Sequence, residues 1–283
     1  MTASSQRRAA VLGHPVAHSL SPTLHRAAYA ALGLREWSYD AIDVPADDLA
    51  AFVAGADDSW AGLSLTMPHK QIVLPLLDHV EPLAQVVGAV NTVLFTGSGA
   101  GRTLVGANTD VHGLVAALRE GLGGEPVTTA AVLGAGATAA STLAALGELG
   151  CTSPVVYVRS MQRAGGLMRA AHRMGVEPVF RPLDGAAAQL GRASVVVSTL
   201  PHHAADPIAE ALPGAVTGVL LDVAYEPRPT ALHSAWVAAG GVAVGGERML
   251  LHQAVEQVRL MTGRPGPVDA MDAALAERLA ESA

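Results

Sequence analysis

Short apolar runs recur along almost the whole chain, and most are followed by a longer stretch with helical spacing. That alternation constrains the fold more than any other feature. A strand covered on both faces reads as a continuous apolar run, and the crossover to a parallel neighbour needs a helix. Strands are expected at residues 9–12, 38–44, 62–65 and 90–95, with helices at 22–32 and 46–54 whose starts are marked by Ser21 and Pro45. The Gly- and Ser-rich residues 96–101 read as a hairpin turn. A second series begins near residue 128, with strands expected at 129–133, 155–158, 177–180, 194–198, 219–223 and 242–244. Its helices fall at 137–149, 161–174, 204–212 and 230–239, and two more close the chain at 249–262 and 268–281. Residues 121–126 and Gly245-Gly246 are natural joints. The fold class is α/β: a first α/β domain with a mostly parallel sheet, then a doubly wound one.

Composition narrows the function classes. Half of the 283 residues are apolar, enough for a large core, and the net charge of -7 with no basic stretch argues against nucleic-acid binding. The one cysteine, Cys151, excludes an internal disulfide and suits a reducing, cytoplasmic setting. The polar start carries no apolar segment of signal-peptide type. Residues 126–147 are uncharged, but they are Ala, Gly, Thr and Ser around a Gly-rich turn, better read as a buried strand and helix than as a membrane span.

Directly after the expected strand at 129–133 comes Gly134-Ala135-Gly136-Ala137-Thr138-Ala139. This is a G-x-G-x-x-A dinucleotide fingerprint. Gly134 would make the tight turn, Gly136 would let the backbone approach a pyrophosphate, and the anion would rest on the amides of the next helix. An NAD site needs an acid at the end of the following strand, but here that strand runs into Arg159-Ser160-Met161-Gln162-Arg163. Arg159 and Arg163, four apart across a turn, can face one anion such as a 2′-phosphate, so a Rossmann-like domain binding NADP is expected. Arg169 and Arg173 read instead as the solvated face of a helix.

Lys70 is the only lysine of the chain, beside seventeen arginines. An ammonium, unlike a guanidinium, can give up its proton when desolvated, so this residue is a candidate acid or base. It closes Thr66-Met67-Pro68-His69-Lys70. Other polar stretches also sit at strand ends: His18-Ser19-Leu20-Ser21-Pro22, Gly88-Ala89-Val90-Asn91-Thr92 and Gly106-Ala107-Asn108-Thr109-Asp110. Ligands of open α/β sheets collect outside the carboxyl ends of strands. Hydroxyls, an amide, an ammonium and a carboxylate there would suit a small polyhydroxylated acid.

These stretches, in this order, resemble the shikimate dehydrogenase family: H-S-x-S-P, T-x-P-x-K, G-A-x-N-T and G-x-N-T-D. Asp222-Val223-Ala224-Tyr225 is similar to its D-x-x-Y, and residues 246–254, from Gly246 to Gln253-Ala254, to its G-x-x-M-L-x-x-Q-A. The resemblance spans residues 9 to about 263. It implies reversible NADP-linked reduction of 3-dehydroshikimate to shikimate, in aromatic amino acid biosynthesis. It also implies a substrate domain of residues 1–110 completed by 247–283, hinged across a cleft to an NADP domain of residues 111–246. On the same ground Ser19 and Ser21 would donate to the substrate carboxylate with Tyr225 nearby. Thr66, Asn91, Asp110 and Gln253 would bind ring hydroxyls, and Lys70 and Asp110 would form the catalytic pair. Gly134, Ala135, Gly136, Ala137, Arg159, Ser160, Arg163, Thr199 and Gly246 would hold the cofactor. The family includes monomers and homodimers.

The chain departs from the family pattern in places. Arg26 follows His25 where Asn is usual, and Ser64-Leu65 replaces Asn-Val, a change expected to remove one buried hydrogen bond. Val158-Arg159-Ser160 stands for N-R-T, and Val197-Ser198-Thr199 for N-A-T near the nicotinamide. Eleven histidines show no metal-ligand spacing, and NADP chemistry on a ketone needs no metal, so none is expected. Asp110 also has a structural reading, as the N-cap of a helix over 111–122. Two other functions stay open: a relative acting on quinate or aminoshikimate, and a shikimate-sensing paralogue without turnover. Two serines at 19 and 21 and an arginine at 159 argue against the first, and the presence of Lys70 and Asp110 against the second.

Overall fold

The structure, a computed structural model, describes residues 6–281; residues 1–5, part of the polar start read as no signal peptide, lie outside them. It divides into two compact units, Met1–Thr109 with Gln253–Ala283, and Asp110–His252. The first holds strands β1 (Arg7–Gly13), β2 (Trp37–Asp43), β3 (Trp60–Leu65), β4 (His79–Val80), β5 (Thr92–Thr96) and β6 (Thr103–Ala107). With them run helices α1 (Ser21–Ala31), α2 (Leu49–Ala54), α3 (His69–Ile72) and α4 (Pro82–Val87). The second holds β7 (Ala130–Leu133), β8 (Val155–Val158), β9 (Val179–Pro182), β10 (Val195–Ser198), β11 (Val219–Asp222) and β12 (Val242–Gly245). Helices α5 (Asp110–Leu122), α6 (Ala137–Glu148), α7 (Gly165–Met174), α8 (Ala187–Leu190), α9 (Asp206–Glu210) and α10 (Ala231–Ala238) alternate with them. The chain ends in α11 (Gly246–Thr262) and α12 (Val268–Ala280).

The first sheet runs β2-β1-β3-β5-β6-β4. β1 pairs parallel with both β2 and β3, whereas β5 is antiparallel to β3 and to β6. The chain therefore leaves β1 toward one side for β2 and returns to its other side for β3, which makes a switch point between β1 and β3. All six residues of β3 are buried, as a central strand requires. The antiparallel insertion matters as much, because it puts the start of β5 and the end of β6 at the same rim as the end of β3: Ser64 pairs with Thr92, and Thr92 with Ala107.

The second sheet is wholly parallel, in the order β12-β11-β10-β7-β8-β9. This is the doubly wound dinucleotide-binding order, with its switch point between β7 and β10. The central strands AAVL, VVVS and VLLD are buried at every position. A core of Leu133, Val196, Leu220, Leu232 and Trp236 packs beneath them. Residues 126–147 resolve into β7 and most of α6 around the glycine turn, and among the described residues no helix is long and apolar enough to cross a membrane.

Several local expectations change. Ser21 is the first residue of α1 rather than its cap, and the capping position is Leu20 with no side-chain bond. Asp110 is the first residue of α5. The third strand of the second series sits at Val179–Pro182, not 177–180, because its register is set by Val155 against Val179. At Gly245-Gly246 there is no loop: β12 runs straight into α11. Gly246 is needed there, since a Cβ on it would lie 2.2 Å from the Val223 carbonyl oxygen.

Candidate active site

In the first unit the carboxyl ends of β1 and β3 are tied together by backbone bonds. The Thr66 amide donates to the Leu12 carbonyl at 2.9 Å, and the His14 amide to the Met67 carbonyl at 3.0 Å. The loop after β1 carries Ser19 and leads into α1 at Ser21, whose amide donates to Ser19 Oγ at 3.3 Å. Thr66 opens the loop after β3, and Lys70 follows within the short helix α3, half-buried. That helix is held from below by the buried His69, whose Nε2 bonds the Val44 carbonyl at 2.8 Å. Burial holds the His69 imidazole below its ordinary range, so the neutral ring is the form that makes this bond. The Lys70 carbonyl accepts from the Val90 amide at 2.7 Å, joining the lysine turn to the next polar stretch.

That stretch begins with Asn91, which is 1 % exposed. Its Oδ1 accepts from the Thr109 amide at 2.8 Å, and its Nδ2 donates to Thr109 Oγ1 at 2.9 Å and to Gln253 Oε1 at 3.2 Å. Thus β5, β6 and the middle of α11 deliver one buried cluster of amides and hydroxyls beside the lysine turn. Ser19, Ser21, Thr66, Lys70, Asn91 and Gln253 all belong to this unit. Asp110, Tyr225 and the fingerprint residues belong to the other.

In the second unit Gly134 stands at φ +112°, and a Cβ there would fall 2.4 Å from Thr199 Oγ1, so only glycine fits the turn between β7 and α6. Thr199 is drawn in by two bonds to the Leu133 carbonyl, from its amide and its hydroxyl, both 2.8 Å. Gly136 caps α6 without any side-chain bond, and a Cβ on it would meet nothing within 4 Å. Backbone donors at the positive end of a twelve-residue helix thus face open space, with Ala135 and Ala137 adding no bulk. Arg159 and Arg163 are exposed at the end of β8, Ser160 starts the turn Met161–Ala164, and the Gly134 amide donates to the Tyr157 carbonyl at 2.9 Å. These residues fit a dinucleotide with an anionic group on its ribose.

Tyr225 lines a cavity of about 240 Å³ after β11, shared with Arg228, Thr230, His233 and Glu247. Burial first, and the neighbouring Glu226 second, push its phenol up, so it stays a neutral donor. Reading the sequence gives Tyr225 a role but none to the Asp222 of the same motif, which shapes its loop. The Asp222 carboxylate, 2 % exposed, accepts from Thr230 Oγ1 at 2.7 Å, and Thr230 in turn caps α10 by accepting from the His233 amide. Burial pushes Asp222 up against these bonds. Among the described residues no cluster of His, Cys, Asp and Glu is arranged to hold a metal ion.

At residue 64 the serine is itself bonded on both sides: Ser64 Oγ accepts from the Tyr39 hydroxyl at 2.6 Å and donates to Gln257 Oε1 at 2.8 Å. Gln257 lies four residues after Gln253 and so on the same face of α11, a spacing that could have flagged it. Arg26 bonds the Tyr39 carbonyl and Asp40, both at 2.9 Å.

Residues 11–93 match the family described as shikimate dehydrogenase substrate binding domain, and residues 246–276 the shikimate 5′-dehydrogenase C-terminal domain. The chain is 40% identical over 271 residues to the shikimate dehydrogenase (NADP(+)) of Rubrobacter xylanophilus, covering 94% of each. Its structure is similar to that of Mycobacterium tuberculosis shikimate dehydrogenase, with a TM-score of 0.84, 41% identity and coverage of 96% and 99%. The Thermus thermophilus shikimate 5-dehydrogenase in complex with NADP(H) and shikimate matches with a TM-score of 0.80, 36% identity and coverage of 96% and 99%.

Proposed function

Because the chain belongs to the shikimate dehydrogenase family, we propose that Lys70 is the proton donor of its reaction and Asp110 the carboxylate that supports it. The reaction is the reversible NADPH-dependent reduction of 3-dehydroshikimate to shikimate. On this reading the first compact unit takes the substrate and the second takes the cofactor. We place the enzyme in the cytoplasm, as a monomer or homodimer, with the lone Cys151 reduced.

Bound NADPH supplies the hydride for the ring ketone. As negative charge grows on the ketone oxygen, the Lys70 ammonium stabilises it and delivers a proton there; in reverse, the amine takes that proton from the shikimate hydroxyl. The Asp110 carboxylate orients the ammonium and balances its charge. Ser19 and Ser21, with Tyr225, donate to the substrate carboxylate, and Thr66, Asn91 and Gln253 hold the ring hydroxyls. Gly134, Ala135, Gly136 and Ala137 carry the pyrophosphate, Arg159, Ser160 and Arg163 the 2′-phosphate ribose, and Thr199 and Gly246 line the approach of the nicotinamide.

The observation that carries this reading is the gathering of the Lys70 turn and the Asn91–Thr109–Gln253 cluster at the ends of β1, β3 and β6. A steady-state assay tests it. Lys70→Ala is expected to lower kcat by about 10²–10⁴-fold while NADP binding, read by fluorescence, is unchanged. Normal turnover by that variant would remove Lys70 from the mechanism. Shikimate and quinate should be compared against both NADP and NAD, and quinate oxidised with NAD as efficiently as shikimate with NADP would assign the chain to quinate-using relatives.

A further inference from the structure

Beneath the Asn91–Gln253 cluster runs a chain of buried hydrogen bonds. The Tyr39 hydroxyl donates to Ser64 Oγ at 2.6 Å, Ser64 donates to Gln257 Oε1 at 2.8 Å, and Gln257 Nε2 donates to Thr92 Oγ1 at 3.0 Å and to the Asn91 carbonyl at 3.2 Å. Thr92 Oγ1 then donates to Asn91 Oδ1 at 3.0 Å, and Asn91 Nδ2 donates to Gln253 Oε1 at 3.2 Å. Every one of Tyr39, Ser64, Asn91, Thr92, Gln253 and Gln257 is at most 6 % exposed, so water does not substitute freely for a missing partner.

The direction of this chain is forced, because two backbone groups at its core have a fixed sense. The Asn91 carbonyl only accepts, so Gln257 must turn its NH₂ toward it and its Oε1 toward Ser64. Ser64 must then donate to Gln257, which leaves its lone pairs for the Tyr39 proton. On the far side the Thr109 amide only donates, at 2.8 Å from Asn91 Oδ1, so Asn91 must turn its NH₂ toward Gln253. Gln253 therefore meets Asn91 through its oxygen. An amide that flipped anywhere along the line would set acceptor against acceptor or donor against donor in a site without water, and each such clash costs the full desolvation of a buried polar group.

We propose that Tyr39, Ser64 and Gln257 are positioning residues for substrate binding, a buried relay of fixed polarity that holds the Asn91 and Gln253 amides in the one orientation that reads the ring hydroxyls, with Ser64 as its pivot. The inference rests on Asn91 and Gln253 being substrate contacts, as assigned above.

Steady-state kinetics of Ser64→Ala and Gln257→Glu separate this role from a merely structural one. Ser64→Ala removes the pivot and lets Gln257 turn; Gln257→Glu puts an oxygen against the Asn91 carbonyl. Each is expected to raise the KM for shikimate about tenfold or more, the size of one buried hydrogen bond, while the KM for NADP stays unchanged. A structural role alone would lower thermal stability and the active fraction without moving the shikimate KM. Ser64→Thr, which keeps the hydroxyl, is expected to restore it. If both variants are folded by circular dichroism and hold the shikimate KM within roughly twofold of the parent, the relay plays no part in binding. Asn91→Ala and Gln253→Ala serve as controls: no change in KM for them would remove the underlying assignment, whereas a rise in them alone would remove only the relay.

Discussion

His25 shows how far one buried side chain can be pushed from its ordinary behaviour. Its ring stacks on Tyr39 with centroids 3.9 Å apart, its Nδ1 donates to the Ser21 carbonyl at 3.0 Å, and its Nε2 has no partner. Burial lowers its pKa from 6.5 to about 4, only partly opposed by the Ser21 bond. The unfolded chain thus binds a proton at a higher pH than the folded one. Stability is complete above pH 6.5 and declines as pH falls toward 4, by up to about 3 kcal/mol over that window. Urea unfolding at several pH values should show this slope, and His25→Phe, which keeps a ring on Tyr39, should flatten it. An equally steep slope in the variant would assign the acid sensitivity to another group. Lys70 could be singled out without a structure because it is the one lysine of the chain. Ser64 could not: judged against a family pattern it looked like a missing bond, since its partner Gln257 lies 193 positions away.

At the level of elements, the turn from β7 to α6 carries the most definite constraint. Alanine at 134 would have to hold φ at +112° and place its Cβ 2.4 Å from Thr199 Oγ1. Gly134→Ala is expected to cost about 1–3 kcal/mol of stability and to raise the KM for NADP, with the shikimate KM unchanged. Parent-like NADP kinetics would mean that the turn does not need its present shape to bind cofactor. The runs behind β7, β8, β10 and β11 were legible because four consecutive residues, mostly apolar and buried, bounded by glycine and polar residues leave few alternatives. By contrast β4, α3 and α8 span only two to four residues, too few to show any period, and were not expected. The split of 161–174 into a 3₁₀ turn and α7 at Gly165 was hidden for the same reason.

Across the whole molecule, each sheet has a switch point, between β1 and β3 in the first and between β7 and β10 in the second, and each opens a crevice at strand carboxyl ends. The proposed ligands are thereby assigned to different units. Hydrogen exchange should show it: shikimate alone is expected to slow amides of residues 64–70 and 90–92, and NADP alone those of 134–140 and 159–163. Shikimate protection confined to the second unit would overturn the assignment.

From the chain of residues alone came the α/β class, the order of the major strands, the fingerprint turn and the lysine, because each is written in neighbours no more than a few positions apart, where period, glycine and charge act directly. Folding decided which distant polar groups share one dry interior, and so which way every amide around Asn91 must face. The reason is that a hydrogen bond's sense depends on both partners, and here the partners come from opposite ends of the chain.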